Sequence, residues 1–133
     1  MATINRFEDL EIWQLARALN KETYKIVLLL EQNKNFKLKE QLDAAAGSVM
    51  DNIAEGFDRQ GTKEFIHFLS ISKASLSELR SQLYRVMDRE IITEDVNTKL
   101  QVEAEILNEK IGRFMTYLNH TSHRGSKFNT PTK

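Results

Sequence analysis

Apolar residues recur along this chain at steps of three and four, and polar breaks divide the pattern into four segments. In the first segment Leu10, Trp13, Ala16, Leu19, Thr23, Ile26 and Leu30 share one stripe, widened by Ile12, Leu15 and Leu29. The stripe predicts a helix over residues 7–32, with Glu8, Asp9 and Glu11 at the positive end of its dipole. Trp13, the only tryptophan, reads as a core anchor. After the polar break at residues 33–37, Leu42, Ala45, Val49, Ile53 and Gly56 define a second helix over residues 37–60. Its face is small, with Ala45, Ala46, Gly47 and Ser48 at one end and Ala54 and Gly56 at the other, so a neighbouring backbone can come close.

Gly61-Thr62 is the clearest break, with Thr62 read as the N-cap of a third helix that runs to Arg89. Phe65, Leu69, Ser72, Leu76, Leu79, Leu83 and Val86 give that helix a heptad seam, interrupted once by Ser72. Thr93, followed by Glu94 and Asp95, starts the fourth helix. Val96, Leu100, Ala104, Leu107, Ile111, Phe114 and Leu118 form its seam, which ends at Asn119. Four helices of matched length with short connections predict an all-α fold, an up-down-up-down antiparallel four-helix bundle over residues 1–119. Residues 120–133 lack apolar periodicity and read as a basic, disordered C-terminal tail. Ile66, Phe68, Ile71, Ile106, Met115 and Tyr117 widen the third and fourth stripes beyond one seam, and this surplus points to self-association.

Composition narrows the class. One Pro and five Gly argue against an all-β chain. The absence of Cys removes disulfides, thiol catalysis and Cys-based zinc sites, and with no apolar leader at the N-terminus it suggests a cytoplasmic protein. Net charge is zero, but Arg124, Lys127 and Lys133 lie in an acid-free tail, leaving 16 cations against 19 anions in the body. That balance is not a polyanion-binding surface by bulk charge.

Candidate chemistry is sparse. Glu64-Phe-Ile-His67 has the Glu-x-x-His spacing of di-iron bundles, but such sites need a second copy and two further Glu facing the core. His120 and His123 both fall in the tail, so no metal and no cofactor is expected. Neither a Ser-His-acid set nor a Gly-rich phosphate loop is present, and no catalytic residue is assigned. A polar set is more informative: Asn52, Glu55 and Arg59 step along one stripe of the second helix, and Ser75, Glu78 and Gln82 along one stripe of the third. Asn52, Glu55, Arg59, Glu78 and Gln82 are therefore read as an interhelical polar cluster, which serves either as a site or as a network fixing which helix faces which. Lys63, His67, Lys73, Arg80 and Tyr84 fall along one acid-free face of the third helix. Lys63, Lys73 and Arg80, with Arg124 and Lys127 of the tail, are the candidate nucleic-acid contacts.

Phe7-Glu-Asp-Leu10, Trp13 and Ala16, then Gln41-Leu42, Ala45-Ala46, Ser48, Asn52-Ile-Ala-Glu-Gly56 and Arg59, resemble the bacterial rRNA intervening-sequence proteins. Lys63-Glu-Phe65, Phe68-Leu69, Ser75-Leu-Ser-Glu-Leu79 and Gln82-Leu83 continue the resemblance, which covers residues 7–118. It implies antiparallel helices and assembly into a homopentamer, in a family some of whose members are encoded within insertions in large-subunit rRNA genes. A distant relative implied by the same resemblance is the basic accessory protein of diversity-generating retroelements, which partners a reverse transcriptase and nucleic acid. This chain departs from the family where Asp43-Ala44 replaces a frequent basic pair, Met50 a Pro, Asp58 a Gly and Arg80 an acid. Loss of the basic pair weakens the case for RNA, and loss of the Pro predicts a straighter second helix. The expectation is a non-enzymatic, homo-oligomeric scaffold associated with RNA. The alternative is a nucleic-acid-binding accessory protein partnering a reverse transcriptase.

Overall fold

The computed structural model describes residues 3–121 and is all-α among them. A 3-10 turn at Phe7–Asp9 precedes α1 (Glu11–Gln32), α2 (Phe36–Asp58), α3 (Thr62–Asp88) and α4 (Glu94–Asn119). α1 packs on α2, α2 on α3 and α3 on α4, and α1 closes the bundle against α4, while the backbones of the diagonal pairs stay apart. Cross-helix contacts fix the antiparallel order. Lys110 of α4 reaches Glu11 at the start of α1 at 3.3 Å, and Lys99 reaches Glu22 at 3.8 Å. Between α2 and α3, Gln41 meets Arg85 whereas Ser48 meets Ser75.

The expected stripes line the core. Leu42, Ile53, Phe65, Leu69, Leu79, Leu83, Ala104, Ile111 and Leu118 are fully buried. Ser72 is buried within the α3 seam because its Oγ donates to the Val49 carbonyl at 2.6 Å, across the interface with α2. Gly56 sits where these two helices come close together. A Cβ built there would lie 2.7 Å from Phe68 Cβ and 2.9 Å from Phe65 Cδ1. Phe65 in turn packs between Phe57 and Phe114, with ring centroids at 6.0 and 5.5 Å, and closes this end of the bundle.

Several boundaries differ from expectation. Leu10 is buried but extended (φ −76°, ψ 128°), so α1 starts after it and Phe7–Asp9 forms a separate turn closed by Leu10 N–H on the Phe7 carbonyl. The turn carries Phe7 edge-on to Trp13 at 5.1 Å. Trp13 is half-buried at the rim, with the Arg17 guanidinium 5.7 Å from its ring centroid, and is not the deep anchor of the core. Thr62 is the first residue of α3, and Gly61 takes the cap position at φ +110°, a conformation that suits a residue without Cβ. Thr93 caps α4 as expected, its Oγ1 accepting from Val96 N at 3.2 Å. The α1 and α3 C-termini close on Lys34 (φ 61°) and Glu90 (φ 60°). At each, the next amide, Asn35 or Ile91, reaches back to the carbonyl of Leu30 or Val86.

Five of the six apolar residues set outside the seams, Ile66, Phe68, Ile71, Met115 and Tyr117, are half-buried, and only Ile106 is exposed. Instead the surplus apolar surface includes Tyr24, Leu28, Phe36, Tyr84 and Val102, together with Val96, which the seam of α4 had placed inside. Val96 faces the α1 side, where it lines an open cavity with Ile26, Leu29, Ile91 and Ile92, and its neighbour Asn97 is the first-turn residue that is buried.

Candidate functional site

The small face of α2 and the Ser-x-x-Glu stripe of α3 meet along a shallow groove of 570 Å³. Ala44, Ala45 and Ser48 line its α2 side, and Ser75, Glu78, Ser81 and Gln82 its α3 side. Gln41 and Arg85 close one end, Arg85 Nη1 donating to Gln41 Oε1 at 3.3 Å. Toward the other end the serine hydroxyls of Ser48 and Ser75 lie 2.8 Å apart. Asn52 locks this contact, its Nδ2 donating to the Ser48 carbonyl at 2.8 Å and to Ser48 Oγ at 2.9 Å.

The five residues of the expected polar cluster thus do three different things. Asn52 holds the serine latch between the helices. Glu55 and Arg59 form an exposed i,i+4 ion pair at 3.1 Å, and the Arg59 guanidinium lies 5.0 Å from the Phe68 ring centroid. Glu78 and Gln82 line the groove, where Glu78 has no ion-pair partner among the described residues. Gln82 is 8% exposed, and its Oε1 is buried with no hydrogen-bond donor. A buried acceptor left without a donor is costly to the fold.

Ser48 and Ser72 were legible only as small residues or interruptions of a seam, and their hydroxyls prove to be the links between α2 and α3. A second polar network, between α3 and α4, had no sequence signal beyond polar residues on helical faces. Gln101 there accepts from Arg80 Nε at 2.9 Å, and its own amide donates to the Arg80 carbonyl at 2.9 Å and to Asn97 Oδ1 at 3.2 Å. Glu105 adds an ion pair to Arg80 at 3.5 Å. The cationic face of α3 is therefore divided. Arg80 is committed to α4, Lys73 lies half-buried over Gly112, and Lys63 is exposed in the first turn. Arg124 and Lys127, and the tail from residue 122 onward, lie outside the described residues.

Glu64 and His67 are both exposed near the start of α3. Among the described residues no three His, Asp or Glu side chains gather as a metal-ligand set. No helix there is long and apolar enough to cross a membrane. Hydroxyls, amides and a carboxylate make the α2–α3 groove a hydrogen-bonding surface, one that accepts more than it donates where Glu78 and Gln82 stand.

A comparison with curated proteins gives no match. Among solved structures the chain is similar to a protein of unknown function from the S23 ribosomal protein family of Bacteroides thetaiotaomicron. The two share 18% identity and superpose with a TM-score of 0.74, over 78% of this chain and 97% of that one. That likeness is one of fold. The 23S rRNA-intervening sequence protein family model matches residues 8–113, which takes in α1, α2, α3 and most of α4. The sequence pattern, the four-helix fold and the extent of that match agree: this chain belongs to the 23S rRNA-intervening sequence protein family.

Proposed function

We propose that this protein is a non-enzymatic, cofactor-free scaffold of the cytoplasm that works as a closed homo-oligomer, a ring of five. The observation that carries the reading is the large apolar side chains left in water. Tyr24, Leu28, Phe36, Tyr84, Val102 and Ile106 are each 40–54% exposed on a bundle whose core is already complete. Surface of that kind marks an association face. A ring requires two different faces per copy, and the exposed apolar residues lie on more than one side of the bundle.

RNA is the second partner in this reading. Lys63 and Lys73 favour it, whereas Arg80 does not, because its charge is met by Glu105. Such contact would be weak and would fall steeply with salt. The accessory-protein reading, with a reverse transcriptase as partner, rests on the same few cations.

Light scattering after size-exclusion chromatography tests the assembly. Five copies of the 15.4 kDa chain give a mass of about 77 kDa. A monodisperse monomer at micromolar concentration refutes the scaffold reading. Titrating a structured RNA at low and at physiological salt tests the second partner, and tight binding that survives physiological salt would favour the accessory-protein reading instead.

A further inference from the structure

A second furrow, of about 370 Å³, runs between α3 and α4. Tyr84 and Met87 of α3 line it, with Glu94, Thr98, Val102 and Glu105 of α4. Its apolar side chains stand in water, Tyr84 at 47% and Val102 at 49% exposed. Its charge is acidic. Glu105 is met by Arg80 at 3.5 Å, but Glu94 has no ion-pair partner among the described residues. Neither has Asp88, one turn beyond Tyr84, nor Asp95, one turn before Thr98, and all three carboxylates are exposed. The chain carries one stretch of opposite chemistry. Residues 122–133 hold Arg124, Lys127 and Lys133 and no acid, and their one aromatic residue, Phe128, follows Lys127 directly. The rest of the chain has 16 cations against 19 anions, so segment and body attract. Reach decides which copy supplies the segment. Thr98 lies about 32 Å from the end of α4 at Asn119, at 1.5 Å per residue. The chain from Thr121, the last described residue, to Phe128 spans about 25 Å at most when fully extended. Phe128 therefore falls short of Thr98 and Tyr84 in its own copy, even before the chain reverses direction.

We propose that Phe128 of one copy seats against Tyr84 and Val102 in the α3–α4 furrow of a neighbouring copy, with Arg124 and Lys127 among the carboxylates of Asp88, Glu94 and Asp95. This deepens the homo-oligomer reading and rests on it. Exposed ion pairs alone contribute little, so the aromatic contact anchors the segment and the charges select its place. The contact covers two of the large apolar side chains that the bundle leaves in water. It also sets one distance in the assembly: Thr121 of one copy lies within about 25 Å of the furrow of the next. Segment and furrow are different patches of one molecule, as a head-to-tail contact requires.

The chain has no cysteine, so an introduced thiol reports on its own position. Thr98→Cys, at an exposed site in the furrow, and Asn129→Cys are co-expressed as single variants with different N-terminal tags and treated with a short bismaleimide. Each thiolate adds across one maleimide double bond, and no oxidant is needed. Ala44→Cys, exposed in the α2–α3 groove, replaces Thr98→Cys as the control for chance encounter. The covalent pair bearing both tags is expected in about tenfold greater yield from Thr98→Cys than from Ala44→Cys, because docking raises the local concentration of one thiol at the other. Phe128→Ala in the Asn129→Cys chain should bring the yield down to the control level, and raising the salt should lower it. Light scattering on the untreated sample separates this proposal from the reading beneath it. An oligomer in which the two sites pair equally, or in which Phe128→Ala changes nothing, overturns the seating and leaves self-assembly standing. A Thr98→Cys/Asn129→Cys chain that links within itself when diluted into excess unaltered chain overturns the assignment to a neighbouring copy. A monomer overturns both readings.

Discussion

Gly56→Ala is the most demanding test of how α2 and α3 meet. The added Cβ would lie 2.7 Å from Phe68 Cβ, 2.9 Å from Phe65 Cδ1 and 3.4 Å from the Phe65 carbonyl oxygen. Comfortable carbon–carbon contact is about 3.5–4.0 Å. The N-terminal part of α3 must therefore retreat by about 1 Å, since Phe68 Cβ is fixed to the backbone and cannot swing aside. Phe65 has no room to take up the movement, because it is fully buried against Phe57 and Phe114. Overpacking of this kind costs about 1–3 kcal/mol. Alanine in a helix interior returns about 1 kcal/mol relative to glycine. The net expectation is a loss of about 0–2 kcal/mol, up to roughly 8 °C in Tm for a domain of this size. Gly47→Ala is the internal control. Its Cβ meets only Asp51 Oδ2, at 4.0 Å, so the propensity gain of about 1 kcal/mol stands unopposed. Far-UV circular dichroism melts at one fixed protein concentration, which holds any assembly term constant, measure both variants. Gly56→Ala as stable as Gly47→Ala would refute the close approach of α2 and α3.

Two further outcomes follow from single contacts. Ser72→Ala removes the hydroxyl that donates to the Val49 carbonyl and should cost about 1 kcal/mol in urea unfolding; no change would mean the bond does not hold α2 to α3. The Glu22 carboxyl is held below its ordinary value, first by the hydrogen bond from Lys25 and then by that ammonium's charge. The stabilisation this gives is present above the ordinary carboxylate range and is lost as pH falls through the lowered pKa. In Lys25→Met an NMR titration should find the Glu22 pKa moved upward, and an unmoved value would contradict the pairing.

Local pattern was enough to count the helices and to choose their inner faces. The α4 seam from Leu100 to Leu118 is buried at each expected position, because side chains at steps of three and four share a face wherever the helix is placed. The Thr93 cap was equally readable, since it is a contact between a residue and an amide three positions on. The same local rule misjudged the chain at the ends of elements. Leu10 has the right period but sits in a turn, and Val96 has the right period but faces an open cavity on the α1 side while Asn97 is buried.

What only the tertiary structure decided is which polar groups find one another. Asn52, Glu55 and Arg59 share a stripe of α2, yet Asn52 turns to the serine latch while the other two pair in water. Arg80 shares a face of α3 with Lys63 and Lys73, yet it is drawn to Gln101 and Glu105 on the neighbouring helix. Gln82 reads as one more polar residue in a Ser-x-x-Glu stripe, and only its burial beside α2 leaves its carbonyl without a donor. The physical reason is the range of the information. Periodicity reports the angle of a side chain about its own helix axis. A hydrogen bond between helices depends also on their rotation, their axial register and their separation, which are set jointly by contacts between residues distant along the chain, such as Ser72 on Val49 and Ser48 on Ser75.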